Sequence, residues 1–385
     1  MAEVLKRRLV WFGGFPAHYM GEFHRKLEGR HNDVFFIYVP LGRAGRAFEH
    51  EQVELPSRHL LLPKEHRWLV AWRWLCQMDP QAVLIAGNFP RVNLLAALWA
   101  GAHGRELYYL CDSNALDRRN LQRGYLKNLM LRWVIGRANK LLTIGTRNSE
   151  FYLSLLGKAN LSRKLHPFPL PHVHTSFERL EPGTHDPFVF LVLGRLDHVK
   201  AVDRVIAAFG LLGPALQRKC RLLIAGDGAA RTVLENQAAE MDLGAHIEFR
   251  GAVPSNLASA VYGESNAVIV ASHDEPWGLV VNEALSAARP VIGPFWIGAF
   301  ADLVIPGITG LVTSGNEPEE LAEAMRKLLE DPVRARTMGL AGRAHVCERG
   351  WTIDGSLQAF SNLFEDRANS SIVHHGLDEK SAGEQ

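Results

Sequence analysis

The chain has 385 residues, of which 47% are hydrophobic and 22% are charged, values close to the averages of globular proteins. These values exclude a disordered or collagen-like protein, and the length favours two domains. The 43 basic and 41 acidic side chains leave a net charge of +2, so the chain as a whole carries no field that would attract nucleic acid.

The cysteines and the longest apolar runs bear on the compartment. Cys76, Cys111, Cys220 and Cys347 lie far apart and lack the C-x-x-C spacing of a zinc site, which favours a reducing cytoplasm. The apolar stretch near the amino terminus is too short for a signal peptide and predicts a first strand. The best candidate for a membrane span, Val92–Ala102, has about eleven residues, fewer than the roughly 18 required. We therefore predict a cytoplasmic protein.

The first part of the chain alternates short apolar strands with helices. The predicted strands are LVWFGG, VFFIYV, AVLIAG, LYYLC and LLTIG, and the predicted helices lie at 19–27, at 149–156 and over NLLAALWAGA. Continuous apolar strands separated by helices are typical of a parallel sheet that is covered on both faces. A proline-rich stretch at 163–187 then predicts the connection between two domains.

The second part repeats this pattern. Its predicted strands are FVFLVLG, CRLLIAGDG, IEFRG, AVIVAS, PVIGP and GLVT, and its predicted helices lie at 201–212, 230–241, 279–287 and 317–329, with a short one after Pro254. An amphipathic helix follows Trp351, and the polar residues 367–385 are predicted to be disordered.

These patterns predict an α/β fold class, with two doubly wound Rossmann-like domains facing a cleft. The expected domains are 1–170 and 186–350, followed by a helix at 352–366. Ligands of such sheets bind beyond the carboxyl ends of the strands, so the site is expected between the domains.

Two glutamates bracket a strand-to-helix turn in the second domain. The segment EPWGLVVNE runs from Glu275 to Glu283 after the strand AVIVAS, and Gly278 precedes a helix whose first amide groups form an anion site. Glu275 is expected to reach the cleft. The alternative is structural, with Glu283 complementing the helix dipole and Glu275 a solvated loop acid.

A glycine and two cations follow the first strand of the same domain. The segment GRLDHVK at 194–200 places Arg195 and Lys200 at the start of a helix, where a guanidinium and an ammonium are able to clamp a diphosphate. A solvated basic loop is the alternative. The segment GDG at 226–228 predicts another tight turn at the same edge, but it lacks the third glycine of the dinucleotide-binding G-x-G-x-x-G.

The order and spacing of these motifs resemble the nucleotide-sugar-binding half of family 4 glycosyltransferases, which are retaining enzymes of the GT-B fold. The shared order is GRL with Lys200, then GDG, FRGAV at 249–253, E-x7-E, PVI at 290–292 and TGLV at 309–312. The resemblance covers about residues 188–345, and the region of Trp351 also resembles the closing helix of the family, which implies that the helix at 352–366 crosses back to the first domain.

The resemblance implies a hexosyltransferase that moves a sugar from a UDP- or GDP-linked donor to an acceptor hydroxyl without a cofactor. A step in bacterial polysaccharide or glycolipid synthesis is expected, and the acceptor is a sugar, a lipid-linked compound or a small molecule. No Asp-x-Asp pair occurs in the sequence, so we expect catalysis without a metal. Alternatives for the whole chain are a nucleotide-sugar epimerase of the same fold and a catalytically silent sugar-nucleotide-binding protein.

The resemblance also implies roles for individual residues. Arg195 and Lys200 would hold the diphosphate and offset the charge of the leaving group. Glu275 would contact the sugar ring, and Glu283 the ribose hydroxyls. Further donor contacts are implied at Gly13, Gly14, Gly194, Gly228, Ala252, Val253, Trp277, Gly278 and Leu279.

The sequence departs from this family at two positions of interest. A strand of the first domain typically ends in a histidine that meets the donor sugar, and here Asp112 stands instead. Asp112 is a candidate catalytic residue that would bind sugar or acceptor hydroxyls, and capping of the next helix is its alternative role. Ala201 replaces the glycine that usually follows the lysine, a change that a helix start tolerates.

A basic and apolar segment bears on the membrane question. Residues 120–140 place several leucines and Trp133 near one helical face beside basic side chains, without an acidic residue. Together with the Trp and Arg residues of 67–74, this segment is able to dock on an anionic membrane surface, which would make the protein peripheral on the inner membrane face. An ordinary helix with a solvated basic face is the alternative.

Overall fold

A computed structural model describes residues 8–14, 18–31, 33–39, 54–63, 67–87, 90–113, 125–157, 164–170 and 177–365. These residues form two parallel sheets with helices on both faces of each. The polar stretch 367–385, predicted to be disordered, lies outside the described residues. Within the described ranges, no helix combines the length and hydrophobicity that crossing a bilayer requires.

The first sheet has seven parallel strands in the order β3-β2-β1-β4-β5-β6-β7. The strands are β1 (Leu9–Gly14), β2 (Val34–Val39), β3 (His59–Leu61), β4 (Ala82–Ala86), β5 (Glu106–Leu110), β6 (Lys140–Thr143) and β7 (Leu165–Pro167). The helices are α1 (His18–Arg30), α2 (Arg67–Met78), α3 (Pro90–Ala102), α4 (Tyr125–Arg137) and α5 (Gly145–Leu156). The strand order reverses between β1 and β4, which makes this pair the topological switch point of the sheet.

The second sheet has six parallel strands in the order β10-β9-β8-β11-β12-β13, with its switch point between β8 and β11. The strands are β8 (Phe188–Leu193), β9 (Cys220–Ala225), β10 (Ile247–Gly251), β11 (Ala267–Ile269), β12 (Val291–Pro294) and β13 (Gly310–Thr313). The helices are α6 (Val202–Gly210), α7 (Gly213–Gln217), α8 (Arg231–Glu240), α9 (Ala258–Gly263), α10 (Leu279–Ser286), α11 (Phe300–Leu303), α12 (Pro318–Glu330), α13 (Pro332–Glu348) and α14 (Ile353–Glu365).

Burial on both faces explains why the central strands are apolar throughout. Leu9 and Trp11 of β1 pack in the cluster that includes α1 and α14, whereas Val10 and Phe12 pack in the cluster under α2 to α5. Successive residues of a strand point to opposite faces, so a strand that is covered twice has no polar side. The sequence prediction of two doubly wound α/β domains is therefore confirmed.

The predicted connection between the domains is wrong at its start. Residues 165–167 form β7, which pairs in parallel with β6 through Leu141 and Leu165. The prolines of this stretch argued against a strand, but β7 is an edge strand, where proline is tolerated because one side of the backbone needs no partner.

The last helix, α14, packs against the first domain although it follows the second in the chain. The Lys140 ammonium donates to the Leu363 carbonyl at 2.7 Å, and Arg30 forms an ion pair with Asp354 at 2.7 Å. Phe360 stacks on Trp11, with ring centroids 6.0 Å apart. These contacts join the two domains away from the cleft.

A second set of contacts joins the domains beside the cleft. The backbone N–H of Thr146, in the first turn of α5, donates to the Asp302 carboxylate at 2.9 Å, and the Thr146 hydroxyl donates to it at 2.7 Å. Asp302 belongs to α11 of the second domain, so its carboxylate satisfies a helix terminus of the other domain. Burial raises the pKa of Asp302, and these hydrogen bonds oppose the rise.

Gly145 is a closely packed residue of this interface. Its φ of 72° lies in the left-handed region, and an added Cβ would overlap the Asp302 carboxylate and lie 2.6 Å from Cζ3 of Trp277. We expect Gly145→Ala to lower the free energy of unfolding by about 3 kcal/mol, through backbone strain and overpacking together. Urea denaturation measures this loss.

Gly104→Ala is the matched control, because Gly104 has a φ of 61° with no atom within 4 Å of the added Cβ. It isolates the backbone strain, for which we expect a loss of about 1 kcal/mol. Equal losses in the two variants would mean that the domains do not pack tightly at Gly145.

Candidate functional site

The strongest candidate site lies at the switch point of the second sheet, where ligands of open α/β sheets bind. The segment 194–200 leaves the carboxyl end of β8, and the segment 270–278 leaves the carboxyl end of β11. Because the chain continues from β8 to β9 on one side and from β11 to β12 on the other, the two loops diverge and leave a crevice. This crevice is lined by Arg195, Lys200, Ser272, Glu275 and Gly278.

An ion pair between Lys200 and Glu275 closes the floor of this crevice. The Lys200 ammonium donates to Oε2 of Glu275, and the Ser272 hydroxyl donates to the same oxygen at 3.2 Å. The side chains are 27% and 17% exposed, so both charges are largely withdrawn from water but still open to a ligand. The structure thus brings together two predicted site residues that lie 75 positions apart in the sequence.

A backbone hydrogen bond joins the two loops that line the crevice, 194–200 and 270–278. The His273 N–H donates to the Val199 carbonyl at 2.8 Å. The imidazole rings of His198 and His273 stack with centroids 5.3 Å apart, and the Asn316 amide contacts Nδ1 of His273 at 3.0 Å. The separation of Lys200 from Glu275 is therefore fixed by the fold, rather than by the two side chains alone.

Gly226 and Gly228 allow two loops of the second domain to pack directly on each other, since a Cβ on Gly226 would overlap the Gly194 carbonyl. The Leu196 N–H donates to the Asp227 carbonyl at 2.9 Å, and the Ala230 N–H donates to the Leu196 carbonyl at 2.9 Å. A Cβ on Gly228 would overlap this same Leu196 carbonyl. The role of Gly228 in this structure is close packing of the loop that carries Arg195.

Arg195 does not join the ion pair on the crevice floor. Its guanidinium pairs with the Asp197 carboxylate at 2.9 Å, and its side chain is 59% exposed. The structure therefore places Arg195 at the mouth of the crevice and Lys200 on its floor. A guanidinium there is able to meet a phosphate that enters from solvent.

Ala201 adopts a left-handed conformation, with a φ of 51°, between the turn that carries Lys200 and α6. A helix start does accept alanine here, as the sequence predicts, but this conformation costs an L-residue about 1 kcal/mol. Packing of the surrounding core maintains this conformation, since Ala201 is fully buried in the second domain.

The turn before α10 places backbone amide groups at the crevice. Gly278 has a φ of 98°, and an added Cβ would lie 3.2 Å from both the Glu275 and the Ile297 side chains. The positive φ therefore favours glycine, and the close side chains leave little room for a larger residue. Leu279 follows as the first residue of α10, and the amide groups of a first helical turn have no partner within the helix.

Glu283, the second glutamate of the motif, lies one turn into α10. The Tyr262 hydroxyl donates to its carboxylate at 2.7 Å. Burial raises the pKa of Glu283 to about 7, and this hydrogen bond opposes the rise. Tyr262 itself is fully buried, which raises its pKa well above the ordinary value, so it remains a donor at neutral pH.

The remaining predicted donor contacts of the second domain divide into two groups. Ala252 is exposed and Val253 is half-buried in the loop after β10. Trp277 is instead buried at the interface between the domains, where its ring stacks on Trp351 with centroids 4.6 Å apart and its N–H donates to Asn282 at 2.8 Å. The Trp277 side chain thus belongs to the domain interface, next in the chain to Gly278 of the crevice.

The predicted residues of the first domain lie at the carboxyl edge of its sheet. Gly13 and Gly14 end β1 at the switch point beside β4. Asp112 is exposed just after β5, and its neighbours are fixed by α5, since the Asn148 amide donates to the Ser113 carbonyl and the Tyr152 hydroxyl contacts the Cys111 N–H. The helix that Asp112 was predicted to cap lies outside the described residues.

Sequence reasoning missed Tyr262, Asp302 and Ser272. Tyr262 donates a hydrogen bond to one glutamate of the motif, and Ser272 donates one to the other. Asp302 accepts a hydrogen bond from Thr146 of the first domain. No local spacing pattern links Tyr262 to Glu283, and only the fold brings α9 against α10. Among the residues that the structure describes, no three His, Cys, Asp or Glu side chains converge in a metal-binding arrangement.

Two parallel-sheet Rossmann-like domains, with a charged crevice at the carboxyl edge of the second, define the GT-B fold of glycosyltransferases. Sucrose-phosphate synthase of Thermosynechococcus elongatus superposes with a TM-score of 0.73 at 18% identity over 93% of this chain and 98% of that chain. Anabaena HepE, whose structure contains UDP, gives a TM-score of 0.73 at 14% identity over 93% and 99% of the two chains.

Residues 176–345 match the family described as glycosyl transferases group 1. The D-inositol 3-phosphate glycosyltransferase of Nocardia farcinica is 35% identical over 190 residues, which are 47% of this chain and 41% of that protein. The chain spans about half the length of the curated relatives that it matches. The matched region contains the whole switch-point crevice of the second domain.

Proposed function

We propose that the protein is a retaining glycosyltransferase of family 4 that transfers a sugar from a nucleoside-diphosphate donor to an acceptor hydroxyl. The observation that carries this proposal is the ion pair of Lys200 and Glu275 at the switch point of a GT-B fold. A cation and a carboxylate side by side suit a donor whose phosphates are anionic and whose sugar presents hydroxyl donors. The match of 176–345 to glycosyl transferases supports transfer over the epimerase alternative.

Electrostatics supply the main catalytic effect in this proposal. The bond between the anomeric carbon and the phosphate oxygen breaks, and negative charge collects on the departing diphosphate. Lys200, Arg195 and the amide groups at the start of α10 offset that charge from fixed positions. The acceptor oxygen attacks from the face that the phosphate leaves, and its proton passes to a phosphate oxygen. No protein nucleophile and no metal are assigned.

The other predicted residues take positioning roles in this proposal. Glu275 accepts hydrogen bonds from the sugar hydroxyls, and Glu283 accepts them from the ribose. Asp112 contacts sugar or acceptor hydroxyls from the opposite domain. The presence of UDP in the HepE structure supports a uridine nucleotide as the first donor to test, and a GDP-sugar is the alternative.

Release of nucleoside diphosphate from a panel of UDP- and GDP-sugars, assayed with EDTA present, tests the reaction class. We expect slow hydrolysis of one base family, insensitive to EDTA and faster with a suitable acceptor. Tight binding of a nucleotide sugar without any release would favour the catalytically silent alternative, and loss of activity in EDTA would contradict the metal-independent part of the proposal.

The pKa of Glu283 makes donor binding dependent on pH. A carboxyl with a pKa of about 7 is mostly ionised at pH 8 and mostly protonated at pH 6, where it no longer accepts two ribose hydrogen bonds. We expect the affinity for a nucleotide sugar to be up to about tenfold weaker at pH 6 than at pH 8. Calorimetric titration measures this ratio, and the diphosphate diester of a nucleotide sugar does not itself titrate in that range.

Glu283→Gln is the control for this pH dependence. Its amide does not titrate, so its affinity for the nucleotide sugar is expected to be weaker but flat between the two pH values. The same slope in Glu283→Gln as in the unchanged protein would show that Glu283 is not the group responsible for the dependence.

A further inference from the structure

One surface of the first domain combines exposed apolar and basic side chains. Helices α2, α3 and α4 all pack on the same face of the first sheet, through a cluster that includes Ala71, Ala96 and Val134. Helix α3 lies between α2 and α4 and contacts both. Their outward sides therefore form one continuous surface, which we call the basic-apolar face.

Large apolar side chains stand out of this face. The exposed fractions are 56% for Trp68, 39% for Leu69, 48% for Leu98 and 55% for Leu129. Single exposed leucines are ordinary on a soluble surface, but four large apolar side chains on three adjacent helices, one of them tryptophan, mark an interaction site. Tryptophan is the side chain that prefers the boundary between lipid headgroups and acyl chains.

The charge of the basic-apolar face has a single sign. The sequences of α2, α3 and α4 contain six Arg or Lys and no Asp or Glu, although the whole chain has a net charge of only +2. Within the described part of the chain, Arg67, Arg73, Arg91 and Arg132 form no salt bridge. An anionic partner would therefore meet cations that no carboxylate of the described chain neutralises.

The basic-apolar face adjoins the cleft. In parallel βα units the helices begin at the carboxyl edge of the sheet, so the first turns of α2, α3 and α4 lie at the same end as Gly14 and Asp112. Trp68 and Leu69 are in the first turn of α2, and Leu129 is in the second turn of α4. A planar partner on this face would thus border the opening of the site.

We propose that the basic-apolar face docks on an anionic lipid bilayer, with Trp68, Leu69 and Leu129 in the headgroup region and the arginines against lipid phosphates. A second copy of this chain fits less well, because a two-fold contact would set the arginines of one face against those of the other without a carboxylate between them. The proposal rests on this surface and does not depend on the activity proposed for the cleft.

Sedimentation of the full chain with lipid vesicles tests the docking. We expect binding to vesicles in which about one third of the phosphatidylcholine is replaced by phosphatidylglycerol, and little to phosphatidylcholine alone. Salt at about 0.5 M should weaken the binding, since it screens the arginines. Equal binding to both vesicles, or none to either, would overturn the proposal.

Variants connect the binding to this face. Trp68→Ser with Leu129→Ser, and separately Arg67→Ser with Arg73→Ser, are each expected to reduce the bound fraction at least several-fold. The matched control is Val333→Ser with Leu340→Ser on α13 of the second domain, where exposed apolar side chains of similar accessibility (76% and 44%) lie away from the face. Thermal melts of each variant establish that the chain remains folded.

Two further outcomes would overturn the proposal. If light scattering shows a dimer that Trp68→Ser with Leu129→Ser dissociates, the face is an interface between copies and the bilayer proposal is wrong. If the control variant loses vesicle binding as much as the face variants do, the binding is not specific to this surface and the proposal also fails.

Discussion

Lys200→Met is expected to lower the rate of sugar release from the donor by about 10²- to 10³-fold, the effect of removing one preorganised charge from a transition state. Lys200 is the cation on the crevice floor, and Met keeps its length and much of its volume. The substitution also leaves the Glu275 carboxylate, only 17% exposed, without its cation. Single-turnover kinetics with saturating nucleotide sugar separate this rate from donor affinity.

Arg204→Met is the matched control for Lys200→Met. Arg204 is also an ion-paired cation, with Glu317 at 2.6 Å, but it lies on α6 and does not line the crevice. We expect the rate of sugar release in Arg204→Met to stay within about twofold of the rate in the unchanged protein. A near-normal rate in Lys200→Met would show that Lys200 does not take part in the reaction. The proposed mechanism would then lose its main support.

Glu275→Gln is expected to reduce the rate by a similar factor, about 10²- to 10³-fold, because a neutral amide holds neither the sugar hydroxyls nor Lys200 as a carboxylate does. Glu317→Gln, an exposed glutamate in an ion pair of the same domain, is the control and should be silent. The circular dichroism spectrum of Glu275→Gln is expected to match that of the unchanged protein.

The double variant Lys200→Met with Glu275→Gln examines whether the pair acts as one unit. Residues that share an ion pair and a ligand have non-additive effects, so the double variant should be little slower than either single variant. A rate equal to the product of the two single losses would show that the two side chains act independently, and the ion pair would then be incidental to the reaction.

The sequence predicts the fold well because the strands of a parallel sheet are buried on both faces. Strands such as β1 and β8 are continuous apolar runs, and no other soluble architecture requires so many of them in alternation with helices. The prediction failed at β7, where an edge position tolerates the prolines that indicated a linker. The covering of the first sheet by α14 was expected only through a family resemblance, since a contact between residues so far apart leaves no local pattern.

The candidate site was predictable where a motif follows a strand directly. Lys200 and Glu275 each follow a strand of the same sheet, and the parallel topology brings such positions to one edge. Tyr262 could not be predicted, because its contact with Glu283 depends on how two helices pack. Trp277 was assigned to the donor from its position in the motif, and its side chain lies in the interface, which only tertiary packing decides.

Arg195 shows the same limit for charged residues. Spacing placed Arg195 and Lys200 together as a clamp, yet Arg195 pairs with Asp197 at the mouth of the crevice and Lys200 pairs with Glu275 on its floor. Which carboxylate a cation meets is set by loop conformation, here by the left-handed residue Ala201 and by the contact between His273 and Val199. Sequence spacing alone does not contain that information.

The central claim is that the crevice between β8 and β11 binds a nucleoside diphosphate. The most direct test is a thermal-shift titration of the full chain with UDP, GDP and ADP and their sugar derivatives in EDTA, with Lys200→Met in parallel. A ligand that binds only the folded state at about 100 times its Kd stabilises that state by about 2.7 kcal/mol, which is a shift of several degrees. We expect one base family to raise the melting temperature of the unchanged protein and to raise that of Lys200→Met much less. No shift with any nucleotide, or an equal shift in Lys200→Met, would contradict the assignment of this crevice.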